Sequence, residues 1–330
     1  MTRRHAPTSA GTPGRLRVAA LTGEQLAELE GEAALERLPE WLAASDTTVW
    51  VDLASPSPAQ VGAVGAALSL HPLIVEDVLE GNQRSKIETT DGVIHIVLFA
   101  LTHGRRFVAT EIDLVLGSGY LFTVHADAWK PHDTHHLRGG LAAVMGHGPD
   151  HLLWALSDDI VDGYFPFADA LGDDIDAVQD AVIARATPES LERLFDLKRE
   201  LIEVRRASAP TREIFNQLTN RESPLIGPDE VVYFRDVYDH LIRLTDEMDN
   251  YRELASSTLD IYLTQVNNNL STIMKRLTGV TVILAGIGAV AGIFGMSEAH
   301  VEAGNFWIVT GMILAGAAAA AIVLRRIDWI

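Results

Sequence analysis

The strongest constraint on this chain lies near its C-terminus, where residues 277–296 and 303–324 each run without one charged side chain. Each stretch is about the twenty residues that a helix needs to cross the hydrocarbon core of a bilayer. Hydrocarbon offers no partner to a backbone N–H or C=O, so an isolated span of this length is predicted to be helical. Lys275 and Arg276 precede the first run, Arg325 and Arg326 follow the second, and the loop at 297–302 carries no Lys or Arg. Basic residues stay on the cytoplasmic side, which places both termini there and makes the chain a multi-pass protein of the cell's inner membrane. Residues 1–15 are polar and basic with no apolar core behind them, and read as a disordered tail rather than a signal peptide. Residues 325–330 form a short basic cytoplasmic tail.

The long soluble part between tail and first span carries most of a net charge of -19. Such a surface repels nucleic acid and suits a cation, although acidity also serves solubility alone. The chain contains no cysteine, which excludes disulfides, thiolate metal sites and cysteine nucleophiles. No nucleophile–base set, glycine-rich phosphate loop or ATP motif is present, so neither an enzyme nor an active pump is expected.

Local patterns divide the soluble part. Residues 16–148 read as an α/β subdomain: strands at 47–53, 93–101, 111–116 and 120–125, with Ser55-Pro56-Ser57-Pro58 opening a helix after the first. Residues 149–228 read as a helical pair, one helix near 151–185 and one from Pro188 to about 220. After Pro228 there is no further proline, and residues 229–278 contain no glycine, so one helix of roughly 75 Å is predicted to run as a stalk (229–276) straight into the first span. Its apolar residues Val237, Leu241, Leu244, Met248 and Tyr251 alternate steps of four and three, and the series resumes at Tyr262, Val266, Leu270, Ile273 and Leu277. Two spans cannot enclose a pore, so a seam of this kind favours a symmetric ring of copies.

Within the first span, Gly288 and Gly292 make a Gly-x-x-x-Gly step suited to close helix packing, or to a path where carbonyls and water face an axis. The loop that follows, Gly295-Met296-Ser297-Glu298-Ala299-His300-Val301-Glu302, places Glu298 and Glu302 where a ring of copies would attract divalent cations. His132, Asp133, His135 and His136 read as a solvated polar loop, and Asp158, Asp162, Asp169, Asp173, Asp176 and Asp180 as a solvated stripe on one helix.

The order IFGMSEAHVEAGNFW between two C-terminal spans resembles the CorA family of magnesium and cobalt transporters, whose signature is Gly-Met-Asn where this chain has Gly295-Met296-Ser297. The segments WVDLASPSPAQV, HPLIVEDVLEGNQRSKIE, LKRELIEVRR, YFRDVYDHLIRLTDEMD and RRIDWI stand in the family's order, so the likeness covers most of the chain. It implies a funnel-shaped homopentamer in the membrane lipid, with an α/β cytoplasmic domain, a long stalk and the first span lining a pore. It implies potential-driven influx of Mg2+, with Co2+ or Ni2+ as companions, closed by internal Mg2+ acting as a regulatory ligand. Alternatives are a Zn2+ transporter of the same fold and a non-conducting, membrane-anchored metal sensor or scaffold, the latter prompted by Ser297. By matching positions, Asp260 forms an acidic ring, Met274 and Leu277 are apolar constrictions, and Gly288, Gly292, Gly295, Met296 and Ser297 line the path. Glu76 and Asp77 after His71-Pro72, with Asp236 of a neighbouring copy, form the regulatory metal site.

Overall fold

The computed structural model describes residues 14–81, 84–102, 108–296, 303–327 and 329. The α/β region is a seven-stranded sheet in the order β2-β1-β3-β7-β6-β5-β4, formed by β1 (Arg15–Thr22), β2 (Gln25–Glu30), β3 (Thr47–Ala54), β4 (Lys86–Thr90), β5 (Val93–Thr102), β6 (Val108–Gly117) and β7 (Tyr120–His125). Only the β3–β7 pair is parallel; every other neighbour pair is antiparallel.

Turn chemistry explains where the strands stop. Asp91 and Gly92, both at positive φ, join β4 to β5 as the two-residue hairpin their sequence favours. Gly119, at φ 80, turns β6 into β7. Between β3 and the next helix, Ser57 closes a reciprocal cap with Gln60, and Pro58 starts α2 (Pro58–Ala67) where a missing N–H costs nothing. His71 Nδ1 accepts from the Leu73 N–H and so caps α3 (Pro72–Glu80), which ends on left-handed Gly81.

Two layers of helix bury the sheet. One core gathers Val18, Val49, Val51, Leu53, Phe122 and Val124 from the strands against Leu38 of α1 (Gly31–Ala43), Val64 of α2 and Ile74 of α3. On the sheet also packs α5 (Pro149–Asp162), whose Leu152, Leu153, Ala155 and Leu156 are fully buried. A five-residue helix α4 (Leu141–Met145) precedes it. The sequence boundary at 148 therefore does not divide packed bodies, because α5 completes the α/β core.

The helix expected near 151–185 is two. Gly163 caps α5, and α6 (Phe165–Ala184) begins with Pro166 at its second position, where no N–H is available to continue a ladder. Tyr164 fills the break: it is fully buried and donates through Oη to the Phe99 carbonyl at 2.6 Å. After α7 (Pro188–Asn220) comes α8 (Val231–Met296), 66 residues without interruption, and then α9 (Ala303–Arg326). No break separates stalk from span at 276. The chain forms two units, Met1–Asp176 with Phe195–Ala255, and Ala177–Leu194 with Ser256–Ile330. Strand β1 already includes Arg15, one residue inside the expected tail, and the rest of that tail before Gly14 lies outside the described residues.

Val237, Leu241, Leu244 and Met248 are buried, as their seam requires, whereas Val266, Leu270, Ile273 and Leu277 are exposed in this single chain. Among the described residues, two helical stretches are long and apolar enough to cross a membrane, Val231–Ile293 and Trp307–Arg326, with mean hydropathy 1.8 and 2.2 in their best windows.

On the sheet lies a buried polar network. Asp52 accepts from Thr123 Oγ1 at 2.6 Å, with His125 Nε2 at 3.0 Å and His132 Nε2 at 3.4 Å; Trp50 Nε1 donates to Thr123 Oγ1 at 3.1 Å. Burial alone would push the Asp52 carboxyl up, but the hydrogen bonds from His125 and Thr123 and the nearby His132 ring outweigh it and hold its pKa well below the carboxylate range. The expected solvated character of His132 is thus overturned: it sits at 4.4 Å centroid distance over the Trp50 ring. Asp52→Ala should cost about 3 kcal/mol by stranding these partners. A depressed folded pKa contributes stability above the unfolded value and loses it as pH falls, so wild type and variant should differ fully at pH 5–7 and converge only below about pH 4 in thermal melts.

Candidate pore face and metal clusters

In the unit that contains Ser256–Ile330, α8 carries the residues expected along an ion path. Asp260 is exposed and uses its backbone carbonyl to accept from Thr264 Oγ1 at 2.8 Å. Met274 is 52% and Leu277 59% exposed. A groove of about 510 Å³ lies between α8 and α9, lined on α8 by Val282, Ile283, Gly286, Ile287 and Val290 and on α9 by residues that include Met312, Ile313 and Gly316.

At about 100° per residue those α8 residues share one face. Met274, Leu277, Gly288 and Gly292 lie roughly 150–170° round the axis from its centre. Helix α9 therefore faces one side of α8, and none of these four residues lines the groove between the two helices. Gly286 and Gly316 line that groove and Gly288 and Gly292 do not, although a Cβ added at any of the four would meet nothing within 4 Å. Asp260, Met274, Gly288 and Gly295 are spaced by multiples of seven residues, which keeps them near one line along a gently supercoiled helix. Gly295 and Met296 close α8, while Ser297, Glu298 and Glu302 lie outside the described residues.

The expected regulatory residues fall into separate clusters. Asp77, on α3, accepts an ion pair from Lys86 of β4, which also lies 3.3 Å from Glu88. Burial works against the Lys86 charge, but the hydrogen bonds to Asp77 and Glu88 outweigh it and raise the ammonium pKa. Asp77, Glu88 and His95 bring ligand atoms within 4.8 Å of one another. His95 in turn is 2.8 Å from Asp113, a buried carboxyl whose pKa burial raises, with the neighbouring His95 opposing that rise. Glu76 points to solvent on the same helix.

Asp236 joins a different group, with His240 and Asp158. His240 Nε2 is 3.8 Å from Asp236, and His240 Nδ1 is 3.4 Å from Asp162 and 3.9 Å from Asp158. His136 Nε2 lies 2.8 Å from Asp158, and His135 pairs with Asp159 at 3.3 Å. Asp158 is 6% exposed, and its Oδ1 has no hydrogen-bond partner among the described residues. Burial raises the Asp162 pKa, as does the charge of Asp158, while His240 and His135 act in the opposite direction. The solvated stripe thus holds for Asp169, Asp173, Asp176 and Asp180, which are exposed, and fails for Asp158, which is buried, while Asp162 is half-buried; the α5–α6 break removes both from that helix. The histidine loop is solvated only in part: Asp133 and His135 are exposed, whereas His136 meets Asp158 of α5 and His132 meets Asp52 of β3.

Asp158 and His240 went unsingled in sequence as ligands. Asp236 and His240 are four apart on one helix and so face the same way, a signal that was available; Asp158 comes near only through the fold.

Comparison with known proteins gives this arrangement a context. Residues 45–326 match the family described as CorA-like Mg2+ transporter protein. The cobalt/magnesium transport protein CorA of Thermotoga maritima is 32% identical over 260 residues, covering 77% of this chain and 74% of that protein. The complete structure of the CorA magnesium transporter from Methanocaldococcus jannaschii superposes with a TM-score of 0.78 at 20% identity, over 95% of this chain and 98% of that one. The full-length CmaX structure gives a TM-score of 0.74 at 19% identity, over 97% and 100%. An α/β region, a long uninterrupted helix and two C-terminal apolar helices, together with the sequence match across most of the chain, make this protein a member of the CorA family.

Proposed function

We propose that this chain is one subunit of a ring-shaped membrane transporter that passes divalent cations, magnesium first and cobalt or nickel with it, down the membrane potential. The observation that carries the reading is the division of α8 into two faces. One face lines a groove shared with α9, and Met274, Leu277, Gly288 and Gly292 lie on the opposite side, outside the lining of that groove. The exposed seam Val266, Leu270, Ile273 and Leu277 needs cover, which copies of α8 around an axis supply, five by family likeness. Lipid then surrounds the outer surfaces, and both termini face the cytoplasm.

In this arrangement Asp260 concentrates cations at the cytoplasmic side, and Met274 and Leu277 form apolar constrictions that close by dewetting. Small residues at Gly288, Gly292 and Gly295 leave room for a hydrated ion. Ser297 presents a ring of hydroxyls to the water shell of magnesium, which dehydrates reluctantly, with Met296 beside it and Glu298 and Glu302 drawing ions to the mouth. An inside-negative potential of 100 mV supplies about 4.6 kcal/mol to a divalent ion.

Closure uses carboxylates that repel until a hard cation bridges them: Glu76 and Asp77 of one copy with Asp236 of the next. Asp158 and His240 are further ligands around Asp236, and an imidazole there extends the response to cobalt, nickel or zinc. A zinc-selective transporter and a non-conducting sensor are the competing readings.

Uptake into proteoliposomes under an inside-negative potential separates these: magnesium entry supports the proposal, entry of zinc alone favours the zinc transporter, and no entry from correctly assembled oligomers favours the sensor. Asp260→Ala should lower magnesium entry by roughly tenfold, the low end of electrostatic focusing, and unchanged flux at equal protein would remove Asp260 from the path. Asp236→Lys should raise the internal magnesium needed for half-closure by roughly fivefold or more; an unshifted inhibition curve would place the regulatory ligand elsewhere.

A further inference from the structure

Within the α/β unit, and unconnected with the residues assigned to transport, a cavity of about 570 Å³ opens between α7, α8 and the start of β4. Five cationic side chains line it: Arg84, Lys198, Arg205, Arg206 and Arg252. No Asp or Glu is among its lining residues, in a chain with 45 acidic side chains against 26 basic ones. The α7 contributors recur at steps of three and four from Lys198 to Pro210, so one helical face alternates cations with apolar residues. This is the segment LKRELIEVRR, which the transport reading leaves without a role.

Arg205 and Arg252 are partly balanced by Asp249, and Arg206 by Glu203 at 3.1 Å. Arg84 has no carboxylate partner among the described residues. A second observation points the same way: Ser85 lines the cavity, is only 9% exposed, and its Oγ has no hydrogen-bond partner among the described residues. A buried hydroxyl without a partner is costly unless a ligand takes its hydrogen bond. The rest of the wall is apolar: Phe99 from β5, Leu201, Ile202 and Pro210 from α7, and Met248 from α8.

Clustered guanidinium groups and a hydroxyl recognise phosphoryl oxygens, and a half-buried aromatic ring with aliphatic neighbours recognises a flat base. The volume suits one small molecule and is too small for a peptide or nucleic acid chain, and the overall charge of -19 opposes the latter. A lipid headgroup is a poor fit, since Arg252 precedes the apolar run at Leu277 by about seven helical turns along the chain. From this combination we propose that the cavity binds a nucleoside diphosphate or triphosphate, its phosphates on the arginines and the Ser85 hydroxyl and its base against Phe99 and Ile202.

The test is calorimetric titration of the full-length, detergent-purified protein with ADP, adenosine and inorganic pyrophosphate, in EDTA and at low salt so that no metal ion takes part. ADP should bind once per chain, with adenosine and pyrophosphate each about tenfold weaker or more. Arg252→Glu and Arg84→Glu should weaken ADP about tenfold or more, and Ser85→Ala, which leaves the wall intact, about threefold. No heat from folded wild-type protein at millimolar ADP would overturn the proposal, as would charge-reversal variants that fold and bind like wild type. Pyrophosphate binding as tightly as ADP would overturn the nucleotide assignment. The readout involves no ion flux, so its failure leaves the transport reading untouched, and the reverse also holds.

Discussion

Helix α8 must satisfy two solvents in one uninterrupted run of hydrogen bonds. Between Val231 and Met296 it has no proline and, before Gly279, no glycine, so nothing in its backbone relieves bending or strain locally. Its first part is stabilised by burial of Phe234, Val237, Leu241, Leu244 and Met248 within the α/β unit. Its later part, from Val266 on, exposes apolar side chains that water cannot solvate favourably. A single chain leaves that surface uncovered, and neighbouring helices with surrounding lipid are the economical cover. What lies on each side of α8 follows from which of its faces needs which neighbour.

Long-range features of this chain were legible in its sequence because they depend on pattern rather than partners. Apolar length located both spans, the absence of helix breakers located α8, and steps of four and three located Val237, Leu241, Leu244 and Met248 on a buried seam. Strands β1, β2 and β4 escaped notice. Strand β2 is exposed along most of its length and β4 has no fully buried residue, so neither shows the alternation that marks a half-buried strand. The α5–α6 break was also readable, since Gly163 and Pro166 stand three apart, but acidic periodicity across the gap suggested continuity.

The electrostatic sites were less legible, since charge in sequence carries no information about who sits opposite. Asp77 is expected at a metal site and pairs with Lys86 within this chain; Asp158 is expected to be solvated and is buried against His136. Asp52 gave no signal beyond a polar residue in an apolar strand, yet it organises two histidines, a threonine and, through the threonine, a tryptophan. Buried carboxylates with several donors are the groups for which an empty neighbourhood would be most costly, and so the ones whose surroundings the fold specifies most closely. The basic cavity is the inverse case: cations held together by α7 and α8 in a chain whose surface is otherwise acidic.

The circumference of α8 also separates two kinds of evolutionary freedom. Residues toward α9, such as Gly286 and Val290, share a groove with Met312 and Gly316, so a larger side chain on one helix can be met by a change on the other. Gly288 and Gly292 do not line that groove, so among the described residues variation there is free of the demands of α9. Drift in one set can proceed without disturbing the other. A helix of this kind can therefore vary on the side away from α9 while its hairpin of apolar helices stays recognisably the same.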